Sequence, residues 1–218
     1  METRFNAETD IPAGNVLLKG DLFIPSDARA IVVFSHGSGS SRHSSRNRQV
    51  ATFLQEHHFG TLLFDLLTED EDMHYYNRFD IPLLTKRLVE VTRWLEKLPE
   101  AKDCRIGYFG ASTGAASALQ AAAENPTISA VVSRGGRPDL AGNALHKVSA
   151  PTLLIVGSLD PEVLIMNKQA LQVLPGRKVL KVVEGAGHLF EEPGRMEIVC
   201  NLATEWFEKF LIPVTLID

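Results

Sequence analysis

The 218 residues carry 22 Lys and Arg against 27 Asp and Glu, a formal charge of −5, and 44% of them are hydrophobic. That balance supplies one sizeable core and excludes the strongly basic field of a nucleic-acid binder. No apolar run approaches the roughly 20 residues of a membrane-crossing helix, and the polar start METRFNAETD has no signal-peptide pattern, so a cytoplasmic chain without membrane contact is expected.

In chain order, VLLKGDLFIP (16–25) reads as an antiparallel strand or hairpin at one edge of a sheet. AIVVFSH (30–36) is a continuous apolar run of the kind buried on both faces of a parallel sheet. A helix follows over 44–58, with Val50, Phe53, Leu54 and His57 on one face, a serine cap and Gly60 after its end. TLLFDLL (61–67) is the next strand, and the acidic TEDED after it reads as a solvated turn without calcium-loop spacing. The helix 82–98 steps through Leu84, Leu88, Val91, Leu95 and Leu98, with prolines at both ends. RIGYFG (105–110) leads into an alanine-rich helix over 112–124, then ISAVVS (128–133) and TLLIVG (152–157). Between those last two lie only about 18 residues, too few for a large cap. A helix after Pro161, the strand KVLKVVEG (178–185) and a last helix after Pro193 complete the pattern. The tail LIPVTLID (211–218) is β-prone and reads as an extra edge strand or exchange surface.

Strand and helix in alternation predict one α/β domain over 1–218, a mostly parallel sheet with helices on both faces. Ligands of such sheets bind beyond the carboxyl ends of the strands. In that position Gly110-Ala111-Ser112-Thr113-Gly114 matches G-x-S-x-G at a strand-to-helix turn. A bare pentapeptide of this kind is as often a capped turn, so Ser112 needs a base and an orienting acid before it reads as a nucleophile. Of seven histidines, His188 lies in the glycine-rich loop after the last strand. Asp160, three residues past the strand 152–157, reads on its own segment first as a cap for the Pro161 helix; Asp139 is its rival and Glu162 a weaker one. Ser112, Asp160 and His188 each follow a separate strand, and the three together say more than any one. His36-Gly37-Ser38-Gly39 lacks both nucleotide-loop spacings and reads as an oxyanion loop, with the Ser38 and Thr113 N–H groups as donors.

HGSGSS, GASTG, GSLD and GAGHLFEEPG, in this order, resemble the α/β-hydrolase superfamily, and within it the small lidless members related to dienelactone hydrolases. The resemblance covers about residues 15 to 211. It implies an α/β-hydrolase fold of about eight strands and a Ser112–His188–Asp160 triad acting on esters. Dienelactone hydrolases proper use cysteine where this chain has Ser112, so the inference is a serine carboxylesterase for small or short-chain acyl groups. A thioesterase or lactonase on the same triad, and a ligand-binding protein without turnover, are the alternatives. No cofactor or metal is called for, and the expected partner is a small-molecule ester; oligomeric state is not legible. Arg42, His43, Arg134 and Arg137 are expected at the rim of the site, either as ligands for an anionic substrate group or, more in keeping with arginines generally, as exposed solubility charges and salt-bridge partners of the acids at 69–72. Cys104 and Cys200 read as two buried free thiols.

Overall fold

The computed structural model describes residues 2–212. Its strands are β1 (Thr3–Ala13), β2 (Val16–Pro25), β3 (Ala30–Ser35), β4 (Gly60–Phe64), β5 (Arg105–Ala111), β6 (Ala130–Arg134), β7 (Thr152–Gly157) and β8 (Lys178–Val183). They form one sheet in the order β1-β2-β4-β3-β5-β6-β7-β8. β1 and β2 pair antiparallel, as do β2 and β4; from β4 to β8 every pairing is parallel. The helices are α1 (Ser45–Glu56), a single turn α2 (Glu69–Asp72), α3 (Ile81–Leu95), α4 (Thr113–Glu124), α5 (Pro161–Val173) and α6 (Arg195–Leu211). This is the α/β-hydrolase arrangement, with both faces of the sheet covered.

The reason lies in the pleat. Successive side chains of a strand point to opposite faces. In β3, Ile31 and Val33 join the core under α3, α4 and α5, while Ala30, Val32 and Phe34 join the core under α1 and α6. Every residue of β3 is buried, so an uninterrupted apolar run is the only pattern that satisfies both sides. Between β6 and β7 a kinked 3₁₀ stretch, Pro138–Lys147, replaces a cap.

β1 was not expected. It is an outer strand with mostly exposed side chains, so its sequence looks polar and hides the period-two set Phe5, Ala7, Thr9, Ile11 and Ala13. The acidic segment is also more ordered than a solvated turn. Thr68 Oγ1 accepts from Glu71 N–H and Glu71 Oε2 accepts from Thr68 N–H, a reciprocal cap that forms α2. Cys200 is buried as expected, but Cys104 is only half-buried; both are free. The expectation for the tail falls on residues 213–218, outside the described residues, and Leu211 closes α6. No helix among the described residues is long and apolar enough to cross a membrane.

Candidate active site

Ser112 sits at the junction of β5 and α4 with φ 52° and ψ −123°, a left-handed conformation that costs a non-glycine residue about 1–3 kcal/mol. Close packing holds it there. A Cβ on Gly114 would run into the carbonyl oxygens of Ser35 and His36, and one on Gly110 into Ala115. Ser112 N–H donates to Arg134 O at 3.2 Å, and Ser112 O accepts from Arg137 N–H at 3.1 Å, tying the turn to the end of β6. Although Ser112 is in the N-cap position of α4, its side chain makes no capping bond. Its hydroxyl has no hydrogen-bond partner among the described residues.

Asp160 behaves the same way. It occupies the N-cap position of α5, yet its side chain caps nothing. Its Oδ2 lies instead 2.6 Å from His188 Nδ1, with the imidazole 40% exposed and the carboxylate 16%. An Nδ1–H bonded to that carboxylate leaves Nε2 with its lone pair free to accept a proton. Two further bonds stitch the loops that carry this pair: Ser158 Oγ accepts from Gly185 N–H at 2.8 Å, and Ala186 O accepts from Leu159 N–H at 2.9 Å. Gly157 lets Ala186 pass so close that any side chain would collide with its carbonyl. A Cβ on Gly135, one residue past β6, would lie 3.1 Å from His188 O and 3.6 Å from its Cε1. The imidazole therefore stands over the end of β6, to which the Ser112 turn is also bonded. No hydrogen bond yet joins the Ser112 hydroxyl to the ring.

On the opposite flank, the loop after β3 passes beside the serine: a Cβ on Gly37 would be 3.2 Å from Ser112 Cβ. His36 fixes this loop. Its Nδ1 lies 2.9 Å from Gly37 O and its Nε2 accepts from Leu66 N–H at 3.1 Å, which together define a neutral ring. Burial pushes the His36 imidazole below its ordinary value of 6.5, against the opposing pull of Gly37 O and the charges of Asp65 and Asp72. As first residue of α4, Thr113 has an N–H with no carbonyl to meet inside the helix. The Ser38 N–H, by contrast, is already engaged: it donates to Thr113 Oγ1 at 2.8 Å.

The basic residues depart most from expectation. Arg42 turns to Asp65 through its backbone N–H and Nη1, at 2.8 and 2.6 Å, and to Glu8 at 3.3 Å, with Asp21 3.6 Å away. Burial works against its charge, but Asp65, Asp21 and Glu8 outweigh that and hold its pKa above the ordinary arginine value. Its partners are thus not the acids at 69–72; of those, Glu71 pairs with Arg87 and Asp72 with Arg78. His43 Nδ1 meets Arg48 Nη2 at 2.8 Å. Arg137 grips Asp139 with two bonds of 2.9 and 2.7 Å, which commits that rival acid elsewhere. Arg134 is not a rim residue at all. It is 4% exposed because β6 points it under the loop after His188, where Phe190 lies 6.0 Å from its guanidinium carbon. Its Nη2 donates to Asn47 Oδ1 at 3.3 Å, its Nε finds no partner, and no carboxylate pairs with it among the described residues. Burial, and secondarily the charge of Arg46, push its pKa down to about 10.

Asn47 and Phe190 were missed by sequence reasoning, since an amide in a helix and an aromatic in a loop carry no signal of an arginine between them. A cleft of about 320 Å³ opens beside the loop after β3, between Ser40, Arg42, Asp65 and Thr68. No cluster of three or more metal-ligating side chains occurs among the described residues.

The model of the dienelactone hydrolase family matches residues 18–211. Over 201 residues the chain is 56% identical to proteins of Mycobacterium tuberculosis strains CDC 1551 and H37Rv, each named "Putative phosphoribosyl transferase". That match covers 92% of this chain but 45% of each relative, so the chain spans less than half the length of the curated relatives it matches. A crystal structure of dienelactone hydrolase from Anabaena variabilis ATCC 29413 is similar at TM-score 0.94 and 51% identity, covering 97% of this chain and 100% of that one. Est1E from Butyrivibrio proteoclasticus is similar in fold alone, at TM-score 0.79 and 16% identity over 93% of this chain and 98% of its own.

Proposed function

The chain belongs to the dienelactone hydrolase family, and from that premise we propose that it is a serine hydrolase that opens small or short-chain carboxylic esters through an acyl-enzyme on Ser112. One observation carries the reading. The two residues whose ordinary role would be helix capping, Ser112 and Asp160, cap nothing; one holds a strained, unpartnered hydroxyl and the other holds His188.

In the proposed reaction the Ser112 oxygen attacks the ester carbonyl while its proton passes to His188 Nε2. Asp160 keeps the ring in the Nδ1–H tautomer and stabilises the imidazolium. Negative charge gathers on the carbonyl oxygen, toward the Thr113 N–H. Collapse returns the proton from His188 to the departing alcohol and leaves an acyl group on Ser112. Water, deprotonated by His188, then bonds to the acyl carbon, and as the bond to Ser112 Oγ breaks the proton returns from His188 to Ser112 and the acid leaves. The steps draw on side chains and backbone amides alone.

Ser112→Ala should lower turnover of p-nitrophenyl acetate by about 10³-fold or more with an unchanged thermal midpoint. A folded variant that kept its turnover would remove the proposal. The family match favours a second reading, in which the opened ester is cyclic; a panel of linear esters, thioesters and lactones ranks the two. The transferase name of the mycobacterial relatives belongs to proteins more than twice the matched length. It adds no reaction to the proposal for this stretch.

A further inference from the structure

The bond from Ser38 N–H to Thr113 Oγ1 has a consequence for the charge that develops on the substrate. An oxyanion hole needs donors that are fixed and otherwise unused. Ser38 N–H is fixed but used, because Thr113 Oγ1 accepts it at 2.8 Å. The same hydroxyl still owns a hydrogen, and that hydrogen has no acceptor among the described residues. It does not turn back to the preceding turn, as threonines in helices commonly do, because Thr113 opens α4 and the chain before it is β5. Thr113 is buried, 4% exposed, between the loop after β3 and the Ser112 turn, and a Cβ on Gly37 in that loop would lie 3.2 Å from Ser112 Cβ.

We propose that the Thr113 hydroxyl is a donor of the oxyanion hole, beside the Thr113 N–H, with Ser38 N–H as the second link behind it. The chain of donors runs from Ser38 N–H to the hydroxyl oxygen and from the hydroxyl hydrogen to the substrate oxygen. No proton is transferred along it. As the bond from Ser112 Oγ to the carbonyl carbon forms, the carbonyl π pair moves onto oxygen, and the Ser112 proton goes to His188. Accepting from Ser38 polarises the hydroxyl and makes it a better donor than a lone threonine. One residue thus supplies two donors, and the loop after β3 contributes through it. The inference rests on the serine reading above and deepens it.

Thr113→Val keeps the shape of the side chain, removes its hydrogen and leaves Ser38 N–H free. For p-nitrophenyl acetate the expected result is a fall in kcat of about a hundredfold, with KM within about twofold, since the lost contact exists only in the transition state. Phenylboronic acid, whose adduct places an oxygen where the oxyanion sits, should bind more weakly by a similar factor. Thr113→Ser should recover most of the lost turnover and affinity. A Thr113→Val enzyme as fast as the parent, beside an inactive Ser112→Ala, would overturn this inference alone. So would a Thr113→Ser variant as slow as Thr113→Val. Activity surviving in Ser112→Ala would sink the serine reading beneath it. If the valine variant does not fold, a crystal structure of the parent with the boronate decides. Thr113 Oγ1 should lie about 2.5–3.0 Å from the adduct oxygen; Ser38 N bonded to that oxygen, with Thr113 Oγ1 out of reach, overturns it.

Discussion

The two flanks of Ser112 use charge in opposite ways. On the β7–β8 side one carboxylate meets one imidazole, both partly open to solvent, and nothing else among the described residues bonds to either side chain. On the β3–β4 side Arg42 is surrounded by Asp65, Asp21 and Glu8, acids from β1, β2 and the loop after β4. A singly paired, accessible group can change its protonation or partner during a reaction; a cation held by three carboxylates cannot without parting from two strands and a loop. Arg134 fits neither description, being deeply buried and held, among the described residues, by an amide and an aromatic ring. Arginine as a residue type therefore says little about an anion site until the surrounding carboxylates are counted.

The contrast can be broken by four measurements. The largest effect belongs to Asp160→Asn, which should lower kcat by about 10³–10⁴-fold through the wrong imidazole tautomer, with little change in the thermal midpoint. A loss under tenfold would mean that the pair is structural like its counterpart across the cleft. Arg42→Ala should do the reverse, lowering unfolding free energy by about 3 kcal/mol while ester turnover at 25 °C is retained, because partly buried carboxylates lose their partner. Urea titration and a rate assay on the same preparation test both halves.

Arg134→Met comes next. At pH 7 the arginine is charged in folded and unfolded chains alike, and a folded pKa pushed down to about 10 means that the buried charge opposes folding. Replacing it should raise stability by about 2 kcal/mol. If turnover of esters bearing a carboxylate also fell while neutral esters were unaffected, Arg134 would be reserved for a substrate anion; equal rates for both would leave it structural.

The smallest effect is that of pH on His36. Its folded pKa lies below the ordinary 6.5, so between the two values the unfolded chain binds a proton that the folded chain refuses. This contribution is fully present above about pH 6.5 and is lost as pH falls, by at most about 1.4 kcal/mol per pH unit. His36→Asn should flatten that limb of the stability curve in denaturant melts at successive pH values.

Much of the architecture was legible because β3 to β7 are buried on both faces and so must be apolar without interruption. β1 escaped because an outer strand with mostly exposed side chains is written in polar residues, leaving only the faint alternation that ends at Ile11 and Ala13. The order Ser112, Asp160, His188 was legible because each follows a strand. Whether Asp160 caps or orients was not, since both roles place an acid before Pro161 and only the position of His188 separates them. Arg134 was misplaced for a similar reason: a charged residue at a strand end reads as surface, and the loop carrying Phe190 that covers it comes more than fifty residues later. The Ser38–Thr113 bond joins residues whose nearness is a property of the assembled sheet, so nothing local announces it.

Position within the sheet also divides the labour of the site unevenly. Ser112 follows β5, which is clasped by β3 on one side and β6 on the other. His188 follows β8, whose one sheet partner among the described residues is β7. In the proposed reaction the group that bonds to substrate is anchored at the centre, while the group that takes up its proton hangs from the margin. Loosening that margin would silence the chemistry while the core, and the strained turn within it, remained intact.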